Sequence, residues 1–244
     1  MTIAYDKLRA GPLPFEESLL AQLGIVKDEP KLATYTELIW RLEGNRRQKD
    51  RFHLQHSFAM GHLYRQAAKY AGSEEDRDSL LRSSVEQYQT ILQKGDARGE
   101  EYFYACLAAG QILLKMEHSW PAVEGLFLRG YEAAPARGES IKRIIQYYLS
   151  EESWPIAYIY SRFAMDHYFE KLPGGMHWGV EEAFYRWEVL DMHFAAAYSL
   201  GKTEEAADAF QRLYSLSLNL PGLFTTKQME IISSRRQLFS HTHE

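Results

Sequence analysis

Along nearly the whole chain apolar residues recur three and four positions apart, the interval that gathers them on one stripe of an α-helix. After an irregular lead-in over residues 1–13, this interval predicts a short helix from Phe15 through Leu19, Leu20 and Leu23, ended by Gly24. A second helix over about 30–43 carries Leu32, Tyr35, Leu38, Ile39 and Leu42 on one face, with Gly44-Asn45 as its stop. The segment 46–70 opens basic, at Arg46, Arg47, Lys49 and Arg51, then turns apolar at Phe58, Met60, Leu63 and Tyr64. Ser73 is placed as an N-cap, with Glu74, Glu75 and Asp76 favoured at the positive end of the helix that follows. That helix carries Leu80, Leu81, Val85, Tyr88, Ile91 and Leu92 and stops at Gly95. Further helices are expected over 100–116, rich in small and aromatic residues, and over 138–149, with Ile141, Ile144, Ile145, Tyr148 and Leu149 inward. Three Gly and a Pro make 171–179 an irregular loop. Helices over 180–200, over 203–218 capped by Thr203, and over 225–239 presenting Met229, Ile232 and Leu238 complete the pattern, before a frayed tail at 240–244.

One phrase occurs twice in this pattern. Ser119-Trp120-Pro121 returns as Ser153-Trp154-Pro155 after 34 residues, the period of a tetratricopeptide repeat. Ser can cap a first turn and Pro loses nothing there, so each copy is expected to open the second helix of a hairpin. Val123, Phe127, Gly130 and Pro135 follow the first copy at the spacing the repeat uses to pack and end that helix. Ala157 and Ala164 hold the corresponding small positions after the second, where Ser161 stands in place of the usual aromatic. Gly61 and Tyr64 reproduce the Gly-x-x-Tyr spacing of a repeat's first helix, at which the missing side chain admits the partner helix. Ala157 and Ala206 lie 49 residues apart, one period lengthened by the 171–179 loop and a longer helix. The expected fold is all-α, a tetratricopeptide-like right-handed α-solenoid of antiparallel hairpins forming a single domain over 1–244. Within it, 1–45 would be N-terminal capping helices, 46–218 degenerate repeats, and 219–244 a C-terminal capping helix and tail.

Composition narrows the function classes. A net charge of −5 argues against a general affinity for nucleic acid. The single Cys106 rules out an internal disulfide framework and fits a reducing, cytoplasmic compartment. No run of about 18 apolar residues predicts a transmembrane segment. The aromatic share of 14% is high, mostly Tyr and Phe, and suits both the filling of gaps between helices and the lining of grooves.

A further resemblance rests on Tyr147-Tyr148, Ala157-Tyr158, Val180-Glu181, Tyr185-x-Trp187-x-x-Leu190-Asp191, Ala197-Tyr198, Gly201 and Glu204-Glu205-Ala206. With these residues the stretch 138–216, about a third of the chain, resembles the tetratricopeptide-like region that accompanies the catalytic domain of bacterial family 2 glycosyltransferases. The resemblance implies a link to bacterial glycan assembly and no activity of its own, because the sugar-transferring domain has no counterpart in this sequence.

Candidate chemistry has a structural explanation at each place. Asp76-Arg77-Asp78 has the acidic pair that would hold a metal and a sugar diphosphate, yet it falls in a first helical turn where acids are already favoured. Asp50, His53 and His56 recur every third residue with His62 beyond them, a face that suits zinc or iron only with a ligand from elsewhere. Asp191-x-His193 is splayed on a helix. There is no Gly-x-Ser-x-Gly elbow and no phosphate-binding Gly-rich loop. A non-catalytic interaction scaffold without cofactor or metal is therefore expected, recruiting or regulating a glycosyltransferase. Its partner-binding residues are expected among Arg143, Tyr147, Tyr148, Tyr158, Arg162, Trp178, Arg186 and Trp187, with a groove near Tyr148, Tyr158, Arg162 and Trp187. Alternatives are direct glycan binding by an aromatic concave surface and a helical metalloenzyme.

Overall fold

The computed structural model describes residues 32–44, 53–174 and 179–236. Ten α-helices and no strand occur among these residues: α1 (Leu32–Glu43), α2 (His53–Ala67), α3 (Glu74–Lys94), α4 (Glu100–Lys115), α5 (Trp120–Ala133), α6 (Glu139–Ser150), α7 (Trp154–Tyr168), α8 (Val189–Ser199), α9 (Thr203–Asn219) and α10 (Thr226–Arg235). The all-α expectation is met. The helix expected at Phe15–Leu23, the 1–13 lead-in, Arg46, Arg47, Lys49, Asp50, Arg51, His177, Trp178, Leu238 and the 240–244 tail lie outside the described residues. No helix among the described residues is long and apolar enough to cross a membrane.

The chain divides into two compact units, one ending at Ala134 and the other beginning at Pro135. In the first, α2 to α5 each pack on the helix before them. Tyr35, Leu38, Ile39 and Leu42 of α1 are buried together with Phe58, Met60 and Leu63 of α2, as the stripe on α1 requires. Two glycines set the closest approaches. A Cβ on Gly61 would stand 2.9 Å from the Tyr88 ring, and one on Gly110 would stand 2.6 Å from the Phe127 ring, so each absent side chain is the slot an aromatic fills. Ser73 caps α3 as expected, accepting the Asp76 amide at 3.1 Å. Cys106 is buried, and its thiol is pushed up to about 12 by desolvation.

In the second unit α6 packs on α7, α7 on α8, α8 on both α6 and α9, and α9 on α10. Ile141, Ile144 and Ile145 of α6 are buried, whereas Tyr148 and Leu149, expected inward, are only half-buried. The expected continuous helix over 180–200 is broken in step. Residues Phe184–Glu188 form a π-helical turn, in which the Val189 amide reaches back to the Phe184 carbonyl. Phe184, Tyr185 and Trp187 of that turn are all buried.

Three turns share one geometry. After α4, α6 and α8 a single left-handed residue ends the helix: Glu117 (φ 57°), Glu152 (φ 53°) and Gly201 (φ 70°). At each, that residue's amide and the next one bond back to the helix carbonyls, for example Ser153 to Tyr148 at 2.9 Å and Lys202 to Ala197 at 3.0 Å. This is the paired C-terminal bonding of a Schellman motif, for which glycine is the unstrained choice. Both Ser-Trp-Pro copies open a helix that packs on the one before it, with Pro in its first turn. Neither Ser caps through its side chain, however, and the backbone carbonyls of Ser119 and Ser153 accept the first-turn amides instead. Thr203 likewise does not cap α9; it is the helix's first residue, and its hydroxyl donates to the Gly201 carbonyl at 3.4 Å. A side-chain cap not foreseen in the sequence occurs at Thr225, which forms a reciprocal capping box with Gln228.

Candidate functional site

In the second unit α7 lays Tyr158, Ser161, Arg162 and Met165 along one stripe, the (i, i+3, i+4, i+7) spacing of a helix face. Facing this stripe are His193 from the middle of α8 and Glu205 from the first turn of α9, brought near by the Leu200–Lys202 turn. The Tyr158 hydroxyl donates to Glu205 Oε2 at 2.7 Å, and Arg162 Nη1 donates to the same oxygen at 2.9 Å and to Tyr158 Oη at 3.1 Å. Lys202 Nζ lies 3.6 Å from Glu205 Oε1 and 4.7 Å from the centre of the Tyr158 ring. The hydrogen bond from Tyr158, reinforced by Arg162 and Lys202, holds the Glu205 carboxyl below its ordinary range. Glu205 in turn helps to hold the Arg162 guanidinium in its charged form, after the hydrogen bond to Tyr158.

Ser161, the residue that departs from the repeat, is fully buried. Its hydroxyl donates to the Tyr158 carbonyl at 3.1 Å and meets His193 Nδ1 at 3.1 Å. His193 Nε2 faces Glu205 Oε2 at 3.8 Å, and the imidazole stacks on the Tyr158 ring at 5.5 Å. Desolvation lowers the pKa of His193, outweighing the pull of Glu205, so the ring is neutral at pH 7.

The order Ser161–His193–Glu205 has the members of an acyl-transfer triad but not its geometry. The serine sits on Nδ1 and the carboxylate on Nε2, and the serine oxygen has no exposed surface from which to attack a substrate. What the cluster does form is the wall of a pocket of about 400 Å³. Asp166, Glu204, Asp208 and Arg212 complete its charged lining, over an apolar floor of Met165 and Ala209.

A second polar cluster of the same unit is buried. Arg137 Nε donates to Glu139 Oε2 at 2.9 Å, and Tyr185 Oη donates to that oxygen at 3.0 Å while accepting the Gly138 amide at 2.8 Å. Glu139 Oε1 accepts the Glu181 amide at 3.2 Å. Lys142 bonds both Glu181, at 2.6 Å, and Glu188. Burial and the neighbouring Glu139 push the Tyr185 hydroxyl above its ordinary pKa, so it serves as a donor and not as a base. With Arg143, which also bonds Glu181, three cations face three carboxylates, and the cluster fixes the π-helical turn against the start of α6.

The residues expected to bind a partner are dispersed. Arg162 lines the pocket, and Tyr158 bonds to it and to Glu205 without lining it. Trp187 is buried against Phe224, with ring centres 5.1 Å apart, and so presents no groove surface. Tyr148 stacks on Tyr160 at 6.2 Å and meets Tyr147 edge-on at 5.5 Å, a half-buried tyrosine face of α6 and α7. Arg143 is bound to Glu181, and Arg186 pairs with Glu182 at 3.2 Å. The remaining sequence candidates have other partners. Asp76 accepts from Ser73 at 2.7 Å, Arg77 pairs with Glu74 at 2.8 Å, and Asp191 pairs with Arg235 and not with His193. His62 meets Tyr104 through Nδ1 and Gln66 through Nε2, both at 3.3 Å, and His56 is buried. Among the described residues no three His, Cys, Asp or Glu side chains gather to hold a metal. His193, Glu204, Glu205 and Asp208 were outside the expected set, since only folding brings three helices together here. No protein-family model matches the chain, and no curated protein or solved structure matches it.

Proposed function

We propose that the protein is a non-catalytic interaction scaffold, a tetratricopeptide-like right-handed α-solenoid whose second unit receives a segment of a partner protein at the α7–α8–α9 pocket. Within each unit, helices packing on their predecessors, and the same left-handed turn used three times, support the repeat architecture. The pocket lined by Arg162 and Glu205, with Tyr158 fixing both, is the observation that carries the binding role. It is concave and charged at its rim, and the Ser161 hydroxyl behind it is fully buried. The partner class implied by the sequence resemblance is a bacterial sugar-transferring enzyme. Direct glycan binding is a second reading, favoured by the Tyr147–Tyr148–Tyr160 face, where half-buried rings offer stacking area and hydroxyls.

The test is co-purification from cells with the full chain as bait, wild type against a Tyr158→Ala, Arg162→Ala double variant whose helical circular dichroism is unchanged. A sugar-transferring enzyme recovered with the wild type and depleted with the variant is the expected result. Equal recovery with both rejects this pocket as the partner site. Glycan-array binding by the purified protein, abolished by Tyr160→Ala, would favour the second reading.

A further inference from the structure

We propose that a pocket between α3, α4 and α5 of the first unit binds a small monocarboxylate with an aliphatic body. This goes beyond the scaffold reading, which uses the other unit, so either can fail alone. α3 and α5 both pack on α4 and leave over it a pocket of about 310 Å³. That is the small end of the range for ligand sites, about 300–1,000 Å³. α4 contributes Ala109 and Leu113 to its lining, α3 contributes Leu92 and α5 contributes Leu126. The three leucines sit at the edge of the first unit's core and are only half-buried, so apolar area stays open to water inside the pocket. Covering that area with an aliphatic chain is favourable.

The charged end of the pocket is Arg129, and what holds it decides the sign of the ligand. Its Nε donates to Tyr102 Oη at 3.1 Å, and its Nη2 donates to the same oxygen and, at 3.4 Å, to the Leu92 carbonyl. The guanidinium carbon lies 5.5 Å from the centre of the Tyr102 ring. All of these partners are uncharged. By contrast Arg162, Arg212 and Arg235 each meet a carboxylate. Arg129 is thus exposed and yet fixed, and among the described residues its Nη1 makes no hydrogen bond and no Asp or Glu lines the pocket. A guanidinium already held in place loses little freedom on accepting a carboxylate, and the unspent N–H groups of Nη1 are the donors such an anion takes. Gln89 and Gln93, one turn apart on α3, line the same pocket and add amide N–H donors for the second carboxylate oxygen. A cation would be repelled by Arg129, and inorganic phosphate would leave the apolar wall uncovered.

The test is nuclear magnetic resonance titration of the full-length protein with three probes: octanoate, its neutral isostere octanamide, and acetate. Octanoate is expected to give saturable shifts at the Ala109, Leu113 and Leu126 methyl groups and at the Arg129 Nε–H, with octanamide and acetate both markedly weaker. Arg129→Gln, altering an exposed side chain, is expected to weaken octanoate binding about tenfold, equivalent to about 1.4 kcal/mol, and to leave octanamide unchanged. Gln89→Glu keeps Arg129 and its bonds to Tyr102 but sets a carboxylate beside the ligand's own, and is expected to weaken octanoate alone. Shifts that do not saturate, or octanamide binding as tightly as octanoate, overturn the proposal. Acetate binding as tightly shows an adventitious anion only and overturns it too. Undiminished octanoate affinity in either variant overturns the placement at Arg129. None of these results bears on partner recovery through the second unit, which is read by the Tyr158→Ala, Arg162→Ala variant.

Discussion

The two units bury different things. The first is closed by apolar fits, with Gly61 receiving Tyr88 and Gly110 receiving Phe127, and among the described residues its buried polar side chains are His56, Ser57 and Ser84, with no carboxylate, Lys or Arg. The second buries Arg137, Glu139 and Lys142 and adds His193 and Ser161. An apolar fit specifies shape and offers no chemistry, whereas buried polar groups must be matched one by one. Where they are matched, as in the Arg137–Glu139–Tyr185 cluster, they lock a turn. Where they border solvent, as His193 does beside Glu205, they line a pocket. The same unit therefore holds both a buried charge cluster and a pocket walled by charged side chains.

The comparison can be broken most forcefully at Glu139. Glu139→Ala leaves Arg137 buried without its carboxylate and should cost about 3–5 kcal/mol, read from urea unfolding. A loss under about 1 kcal/mol would mean that the buried charges are solvated and that the units do not differ. The apolar side is probed by two glycines on facing helices. Gly110→Ala drives a methyl group into the Phe127 ring and should destabilise by about 1–3 kcal/mol. Gly125→Ala, on α5 with no atom near its absent side chain, should stabilise by about 0.5–1 kcal/mol, so opposite signs are the expected outcome.

The turns sharpen the contrast further. Gly201→Ala forces a side chain into a left-handed position and should lose about 1 kcal/mol, while Glu152→Gly relieves the same strain and should gain about as much. Thermal unfolding of both variants measures this. The smallest effect is the pH response of the second unit. His193 has a folded pKa below its unfolded value of about 6.5, so the unfolded chain binds more protons. The stability associated with its neutral ring is full above pH 6.5 and is lost as pH falls through the folded pKa. His193→Gln should flatten unfolding free energy between pH 7 and 5 relative to wild type, and an unaltered slope would show that the imidazole is not desolvated.

Much of the helix pattern was legible in the sequence, because one face of each helix is buried and the 3.6-residue period marks it. Ile141, Ile144 and Ile145 are an example, as are Val123, Phe127 and Gly130. Gly61 announced a close approach through its spacing to Tyr64, and the structure supplies Tyr88 as the group that approaches. The caps were less legible. A Ser before Trp-Pro satisfies the rule for a capping residue, but Ser119 and Ser153 follow Schellman turns that already fix the backbone. The pocket was legible only in part. Tyr158 and Arg162 stood out by residue type, but Glu205 and His193 lie more than thirty positions away, and such pairings depend on tertiary packing that no local spacing encodes. Trp187 misled for a related reason: a large aromatic with a polar handle suits a groove and a core equally, and Phe224 decides for the core.

The π-helical turn at 184–188 carries a consequence for how this chain compares with others. One surplus residue in a turn rotates everything downstream by about 100° relative to an unbroken α-helix. Excising a single residue there would straighten the coil and swing Tyr185 away from Glu139, or else Phe194 away from Phe210. A register tuned to regular repeats must therefore slip by one position on crossing Tyr185, and similarity on either side of that point is out of phase with the other.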